Sequence, residues 1–293
     1  MKIKRSTGER IFEVLNISVM LVIILIMIYP LLYVIFASLS DANGLLAQKG
    51  ILLRPVGFSV ESYRMMSKNP MILRGYMNTI FIVTVGTAIN IILTAMGAYV
   101  LSCKGPMLRR PIMILIVITM YFSGGMIPFY FTVVNLGLEN SIWSLILPSA
   151  LNTFNLIVMR TSFEAVPESL KESAYLDGAS DMKILFRIIL PLTKATLAVL
   201  TLYYAIGHWN SWFNAVLFIN DRAKYPLQLV LREILLQNDT SSMSSNVISE
   251  DQFAIGETIK YAVTVAATVP VLCIYPFLQK YFEKGALLGA IKG

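Results

Sequence analysis

The chain has 293 residues, of which 56% are hydrophobic and 14% are charged. Soluble globular domains carry roughly 25% charged residues, so this composition excludes an ordinary water-soluble enzyme or binding module. The formal net charge of +7 does not indicate nucleic-acid binding, because the basic residues lie at the ends of apolar segments and not on a polar folded domain.

Six runs without any Asp, Glu, Lys or Arg predict six membrane-spanning helices. A helix needs about 20 residues to cross a hydrocarbon core, and an isolated strand could not satisfy its backbone in lipid. The six runs are Val14 to Ser40, Gly75 to Ser102, Pro111 to Leu138, Asn140 to Met159, Ala195 to Asn220 and Tyr261 to Gln279. We therefore expect an all-α membrane protein that forms a single transmembrane domain over residues 1–293.

The distribution of basic residues predicts the orientation of these spans. Fifteen of the 24 Lys and Arg residues flank one end of the runs, and nine flank the other. Because cytoplasmic segments carry the excess of positive charge, both termini and the loop 160–194 are predicted to be cytoplasmic. The loops 41–74 and 221–260 then lie outside.

The third run contains Gly124, Gly125 and Pro128, which permit a kink or a close approach of another helix. The second run carries Asn78 and Asn90 among several threonines, so one part of this helix is polar. Such residues commonly make hydrogen bonds between helices, and the alternative is that they line a translocation pathway.

The loop 160–194 has the punctuation of two short helices. Pro167 suits the start of the first helix, and Gly178 accepts the backbone angles that end it. Ser180 and Asp181 are predicted to cap a second, amphipathic helix, and Pro191 marks the entry to the next span.

The spacing of seven residues in this loop resembles the EAA loop of binding-protein-dependent ABC importer permeases. Those residues are Glu172, Ser173, Ala174, Gly178, Ile188, Leu190 and Pro191. Ser173 stands where the family usually has alanine, which is a small-for-small change. The resemblance implies the type I ABC importer permease fold, in which this loop docks into a cleft of a separate ATPase subunit. Glu168 and Asp177 fall on the same implied coupling surface.

The resemblance also implies the remaining parts of the transporter. These are a second permease subunit, two ATPase subunits that hold ATP and magnesium, and an extracytoplasmic solute-binding protein, assembled in the bacterial cytoplasmic membrane. The chain itself contains no Gly-Lys dipeptide, so it lacks the P-loop that cradles nucleotide phosphates. We therefore expect a transport subunit that is not an enzyme and binds no cofactor.

The fifth run carries the richest cluster of polar and aromatic residues in the chain. Aromatic faces stack on sugar rings, while amide and imidazole groups form directional hydrogen bonds with hydroxyls, so the cluster suits a carbohydrate. Its residues are Tyr203, Tyr204, His208, Trp209, Asn210, Trp212, Phe213 and Asn214. The segment around Trp209 and Asn210 also resembles the matching part of sugar-importer permeases. An aromatic belt at the outer membrane interface is the alternative interpretation.

The C-terminal tail resembles the ending of the maltose-type branch of these permeases. Gly285, Gly289, Lys292 and Gly293 fall where that branch places them. The resemblance implies that this tail reaches toward the ATPase subunits, and a solvated basic end is the alternative.

These observations favour an importer permease for a carbohydrate, either neutral or acidic and similar to oligosaccharide and aldouronate permeases, that works by alternating access. One alternative is an ion-coupled secondary carrier, although His208 is the only candidate of this kind for a titratable group within the runs. Another is a structural membrane subunit. Cys103 and Cys273 have no partner at metal-ligand spacing, so both are predicted to be packing residues, and no metal site is expected.

Overall fold

The computed structural model describes residues 6–105, 107–243, 256, 258–274 and 276. Over these residues the chain is mostly helical and forms no β-strand, which confirms the predicted class. The helices are α1 (Thr7–Ser38), α2 (Ala42–Ala47), α3 (Glu61–Lys68), α4 (Pro70–Ser102), α5 (Arg109–Tyr121), α6 (Met126–Asn135), α7 (Trp143–Ile146), α8 (Thr153–Glu164), α9 (Glu168–Leu176), α10 (Asp181–Ile184), α11 (Leu190–Leu192), α12 (Lys194–Trp209), α13 (Phe213–Phe218), α14 (Leu227–Met243) and α15 (Thr258–Ile274).

Within the described residues, two helices are long and apolar enough to cross a membrane by themselves, namely α1 and α4. Two bent combinations also qualify if each counts as one span: α5 with α6, and the segment Asp181–Leu192 with α12. Helix α15 is apolar but shorter. The number of six spans stays a prediction.

Both bends occur where the sequence weakens a helix. Helices α5 and α6 meet at 117°, and Gly125 at this junction has φ +85, which confirms the kink predicted from the glycines. The segment Asp181–Leu192 meets α12 at 90°. Leu185–Ile189 forms a π-helical turn just before Pro191, whose missing N–H cannot continue the regular hydrogen-bond ladder.

The run that predicted the fourth span is not one continuous helix. Helix α7 passes into a 3₁₀ turn over Leu147–Ser149 that contains Pro148, and α8 starts only after Asn152. The Asn152 side chain accepts a hydrogen bond from the Asn155 N–H and so caps the new helix. The fifth run is interrupted in a similar way, because α12 ends at Trp209 and α13 begins three residues after Asn210.

The described residues fall into two compact units, drawn from Met1–Asn69 with Glu233–Thr268 and from Pro70–Arg232 with Val269–Gly293. In the first unit, Ser38 at the end of α1 shares a hydrogen bond of 2.8 Å with the Tyr63 hydroxyl. The Tyr29 hydroxyl accepts a hydrogen bond of 3.2 Å from the Leu52 N–H. These contacts fasten the chain that follows α1 back onto that helix.

Helix α4 lies at the centre of the second unit, between α8 and α12. Its buried face carries small residues, including Ala95 and Ala98. A Cβ atom added at Gly97 would lie 3.2 Å from Leu156 Cδ1, so the glycine lets α8 approach closely. Lipid offers little hydrophobic driving force for helix association, so close packing and hydrogen bonds hold such helices together. Helix α4 also contacts the cavity and the loop 160–194 that are described in the next subsection.

Candidate functional site

Asn90, in the middle of α4, is fully buried and joins three segments of the chain. Its Nδ2 donates to the Ser149 carbonyl at 2.6 Å, and its Oδ1 lies 2.7 Å from His208 Nε2. Because the carbonyl of Ser149 needs a donor, Oδ1 must face His208, and His208 Nε2 therefore carries the proton. The orientation of the imidazole is fixed by this bond.

One turn further along α4, Thr94 makes a second buried connection. Its hydroxyl shares a hydrogen bond of 2.7 Å with the Tyr204 hydroxyl, which also accepts from the Asn152 N–H at 3.1 Å. Tyr204 and His208 are four residues apart and so lie on one face of α12. Helix α4 thus holds that face of α12 and the break before α8 in a fixed arrangement.

A cavity of about 370 Å³ opens beside these connections. Its size falls within the range of roughly 300–1,000 Å³ that is typical of small-molecule sites. Among the residues that the structure describes, its lining consists of amide, hydroxyl, imidazole and aromatic groups, with no Asp, Glu, Lys or Arg. The lining residues are Ser149, Asn152, Asn155, Tyr203, Tyr204, Gly207, His208, Asn210, Ser211, Trp212, Phe213 and Asn214.

Both interrupted helices contribute their irregular backbone to this cavity. Ser149 and Asn152 flank the break before α8, while Asn210 and Trp212 lie in the break between α12 and α13. Within membrane proteins, non-helical backbone is tolerated where it is buried in protein or lines a hydrated cavity. The positions of the breaks therefore agree with a polar pathway.

The structure brings most of the predicted pathway residues together, with three exceptions. Trp209 does not line the cavity and instead packs against Tyr76, with ring centroids 6.4 Å apart. Asn78 donates to the carbonyls of Ala223 and Tyr225, and Asn90 acts through its hydrogen bonds. These contacts favour the helix-packing interpretation for all three. The predicted residues that do line the cavity are Tyr203, Tyr204, His208, Asn210, Trp212, Phe213 and Asn214.

Five lining residues were not predicted, namely Ser149, Asn152, Asn155, Gly207 and Ser211. The first three belong to the run that predicted the fourth span. A signal was present in the sequence, because Pro148 and two asparagines interrupt an otherwise apolar run. Proline and asparagine favour turns and helix starts, so a break could have been inferred there.

The loop 160–194 makes the predicted turn at Gly178, and this turn is called the elbow below. Helix α9 runs over Glu168–Leu176, and Gly178 follows with φ +74, a backbone conformation that other residues rarely adopt. Lys171 and Ala174 are buried, whereas Glu172, Ser173 and the two residues before Gly178 are exposed. The predicted coupling residues Glu168, Ile188 and Leu190 are half-buried, and Pro191 is exposed.

Polar contacts join this loop to the end of α4. Lys104 Nζ lies 2.8 Å from the Glu168 carboxylate, and this hydrogen bond lowers the pKa of Glu168 and raises that of Lys104. Asp181 accepts hydrogen bonds from Tyr175 and, at 2.9 Å, from Tyr99. These two donors lower the pKa of the Asp181 carboxyl, so it is ionised at neutral pH.

Comparisons with known proteins agree with these features. The profile of a family described as "Binding-protein-dependent transport system inner membrane component" matches residues 91–287. The chain is 43% identical over 290 residues to the polygalacturonan/rhamnogalacturonan transport system permease protein YtcP of Bacillus subtilis (strain 168), covering 97% of this chain and 99% of that protein. It is 41% identical over 288 residues to the protein LplC of the same organism, covering 98% of this chain and 97% of LplC.

The solved structures add a relative with a similar fold. A chain in the crystal structure of a bacterial ABC transporter involved in the import of the acidic polysaccharide alginate superimposes with a TM-score of 0.87 at 32% identity. The match covers 96% of this chain and 100% of that chain.

The chain belongs to the family of inner-membrane permease components of binding-protein-dependent ABC importers. The resemblance found in the loop 160–194 is thereby confirmed at the level of the family. Membership places the chain in a membrane transport system that works with partner subunits.

The contact between Gly86 and His208 provides a test of this site. A Cβ atom at Gly86 would lie 2.6 Å from His208 Nε2, so Gly86→Ala must displace the imidazole and its bond to Asn90. We expect the free energy of unfolding to fall by about 1–3 kcal/mol, as is usual when a packed interior is overfilled. Thermal unfolding of the detergent-purified protein measures the change.

Gly207→Ala is the matched control, because a Cβ atom at Gly207 meets no atom within 4 Å. It should leave the unfolding temperature unchanged or slightly higher, since alanine favours helix. Equal unfolding temperatures for the two variants would contradict the described packing of His208.

Proposed function

We propose that this chain is the permease subunit through which an ABC importer moves an oligosaccharide across the bacterial cytoplasmic membrane. The single observation that carries the proposal is the uncharged cavity lined by amides, hydroxyls and aromatic rings, in a member of this permease family. The named relatives that transport polygalacturonan, rhamnogalacturonan and alginate support a carbohydrate substrate.

The chemistry of the cavity suits a sugar. Asn152, Asn155, Asn210 and Asn214 each offer an amide that donates and accepts, which matches hydroxyl groups of either role. The Trp212 ring provides an apolar face of the kind that packs on the C–H face of a sugar ring. An ion-coupled carrier would need ionisable or ion-binding groups on the pathway, and the family membership supports the importer instead.

The loop 160–194 is proposed to be the cytoplasmic coupling loop. Its exposed residues Glu172, Ser173 and Asp177 and the elbow at Gly178 form a surface that no described part of the chain covers. We infer that this surface enters a cleft on an ATPase subunit, and that Ala174 holds α9 onto the permease from the buried side. The remaining predicted coupling residues flank the elbow in the sequence and are proposed to hold it in position. They are Glu168, Ile188, Leu190 and Pro191.

The remaining parts of the proposed assembly follow from the family. A second permease would complete the pathway, two ATPase subunits would bind ATP and magnesium, and an extracytoplasmic binding protein would deliver the substrate. This chain would bind no nucleotide, have six spans in one domain and keep both termini in the cytoplasm. Closure of the ATPase pair would move the two coupling loops and open the pathway outward, so the site alternates between the two sides.

Replacement of Gly178 tests the coupling loop. A β-branched residue resists φ +74, and the left-handed conformation costs about 1–2 kcal/mol for residues other than glycine. Gly178→Val should therefore shift the elbow and abolish sugar uptake into vesicles that contain the complete transporter, while the protein still inserts. Gly178→Asn is the control, because asparagine tolerates this conformation and should keep most uptake.

The measurement is the number of sugars imported per ATP hydrolysed. Full uptake by the Gly178→Val variant would overturn the coupling role of the elbow. If both variants assemble normally but lose uptake, the position tolerates no side chain at all. That result would contradict the claim that coupling depends on the positive φ of Gly178.

An acidic sugar is supported by one further contact. The Arg232 guanidinium lies 4.3 Å from the centroid of the Trp212 ring, and Trp212 lines the cavity. A carboxylate on a sugar stacked against the other face of this ring would lie roughly 8 Å from the guanidinium. Opposite charges at that separation attract by about 2 kcal/mol at an effective dielectric constant of about 20. Arg232 thus gives an uncharged cavity a preference for anions.

Arg232→Gln should reduce the uptake of a galacturonate oligosaccharide by about tenfold, equivalent to about 1.4 kcal/mol. Arg232→Lys is the matched control, because it keeps the positive charge and loses only the planar stacking. Uptake in vesicles that contain the whole transporter measures both. Equal losses in the two variants would attribute the effect to packing and remove the support for an acidic substrate.

A further inference from the structure

Helix α4 is connected to both proposed sites. Its middle holds the cavity through Asn90 and Thr94, and its end meets the loop 160–194 through Tyr99 and, just after the helix, Lys104. Asn90 and Tyr99 are separated by about 14 Å along the helix axis at 1.5 Å per residue. One rigid helix therefore links the coupling loop to the substrate cavity.

The connection at the end of α4 is only partly made by apolar packing. Ala174, Ile184 and Leu185 of the loop belong to a buried cluster with Ala98 and Leu101 of α4. A cavity of about 530 Å³ lies beside this cluster, lined by residues of both α4 and the loop, including Tyr99, Tyr175 and Asp181. Apolar packing therefore joins the loop to α4 on one side of this cavity, and polar contacts join the two beside the cavity.

The polar contacts near this end of α4 differ in strength. The Lys104 side chain is 76% exposed, so its ion pair with Glu168 is screened by water and contributes little. Glu164 pairs with Arg109 and Arg160, but both arginines lie outside α4. The Asp181 contact uses a buried side chain of α4, since Tyr99 is buried and donates directly to the carboxylate. Arg160 also reaches α4, because its Nε donates at 3.2 Å to the backbone carbonyl of Leu101.

Asp181 also fixes the two ends of the elbow relative to each other. It begins α10 directly after the elbow, while Tyr175, its second donor, lies in the last turn of α9. The carboxylate therefore holds α9, α10 and the end of α4 at one point. Hydrogen bonds to an ionised acceptor are stronger than bonds between neutral groups.

We propose that Asp181, with Tyr99 and Tyr175, is the positioning group through which movement of the coupling loop reaches α4 and hence the cavity. This inference rests on the proposed function of both sites. Asp181 contacts neither sugar nor nucleotide in this account, and it acts by holding the loop to the helix. A purely local role, as a favourable charge in the first turn of α10, is the competing explanation.

The experiment measures the accessibility of the cavity while the change is made at the coupling loop. Cys103 and Cys273 are replaced by serine, and Asn214→Cys places a reporter thiol in the cavity lining. The complete transporter is purified through a tag on this chain, and the rate of maleimide labelling is measured with and without a non-hydrolysable ATP analogue. Coupling between sites typically corresponds to a factor of about 5–150, so we expect the nucleotide to change the labelling rate at least about fivefold.

In the Asp181→Ala variant this nucleotide response should fall to less than about twofold, while ATP is still hydrolysed and the ATPase subunits still co-purify. Tyr99→Phe removes one donor hydroxyl, keeps the ring and should weaken the response in the same direction. Asp181→Asn retains an oxygen acceptor and should restore part of the response. Tyr121→Phe, at an exposed tyrosine at the end of α5, is the matched control and should respond as the parent does.

The possible results separate a failure of this inference from a failure of the proposed function. A full response in Asp181→Ala, or in Tyr99→Phe if the alanine variant fails to assemble, would overturn the inference and leave the proposed function standing. Loss of response only together with loss of the ATPase subunits would assign Asp181 the local structural role. A reporter that never responds to nucleotide in the parent protein would overturn the proposed cavity, and the inference would fall with it.

Discussion

Buried polar groups on α4 must find partners within the protein, and this constraint organises the second compact unit. A polar group without a partner in an apolar environment costs several kcal/mol, so the partnered groups on α4 fix the positions of neighbouring segments. The Thr87 hydroxyl is an exception, since it is buried and has no partner among the described residues. Asn90 fixes His208 and the Ser149 carbonyl, and Thr94 fixes Tyr204. Near the start of α4, the buried Thr79 hydroxyl accepts from the Leu227 N–H at 2.8 Å and so fixes the first turn of α14.

The cavity is a consequence of these bonds. With α12 and the break before α8 both held to α4, the interrupted backbone at residues 149–152 and 210–212 is left facing the same space. The side chains that cap or end helices are short and polar, and asparagine is prominent among them. A neutral, hydrogen-bonding lining is therefore what this construction produces, and such a lining suits sugar hydroxyls better than it suits ions.

The same helix explains how two separate sites can communicate. A helix is stiff along its axis, and both ends of the proposed route on α4 are attached by hydrogen bonds and not by apolar contact alone. Hydrogen bonds have defined partners and directions, so α4 is expected to move together with the loop.

The features that could be predicted from the sequence are those set by local chemistry. Gly178 marked the end of α9, Gly124 and Gly125 marked the kink between α5 and α6, and the aromatic and amide cluster from Tyr203 onward marked the lining of the cavity. The side on which Trp209 lies could not be predicted, because the helical period ends at that residue and no longer assigns a face. The contribution of Asn152 and Asn155 was not predicted, because the uncharged run is long enough for one continuous helix and the break signalled by Pro148 falls inside it.

The loop 160–194 has a buried side and an exposed side. Residues on the buried side of the loop, such as Ala174, secure it to the permease, and residues on its exposed side remain free for a partner. The exposed side of the loop, at the tip of α9, is the surface that we propose meets an ATPase subunit.

A photo-cross-linker attached at that tip tests the claim most directly. Leu176 is 90% exposed at the end of α9, and Leu136 is 68% exposed at the end of α6, on the side predicted to lie outside the cell. In the complete transporter lacking its native cysteines, a benzophenone maleimide on Leu176→Cys should give an adduct with the ATPase subunit, and the same reagent on Leu136→Cys should not. Absence of the adduct from position 176, or its formation from position 136, would contradict the account.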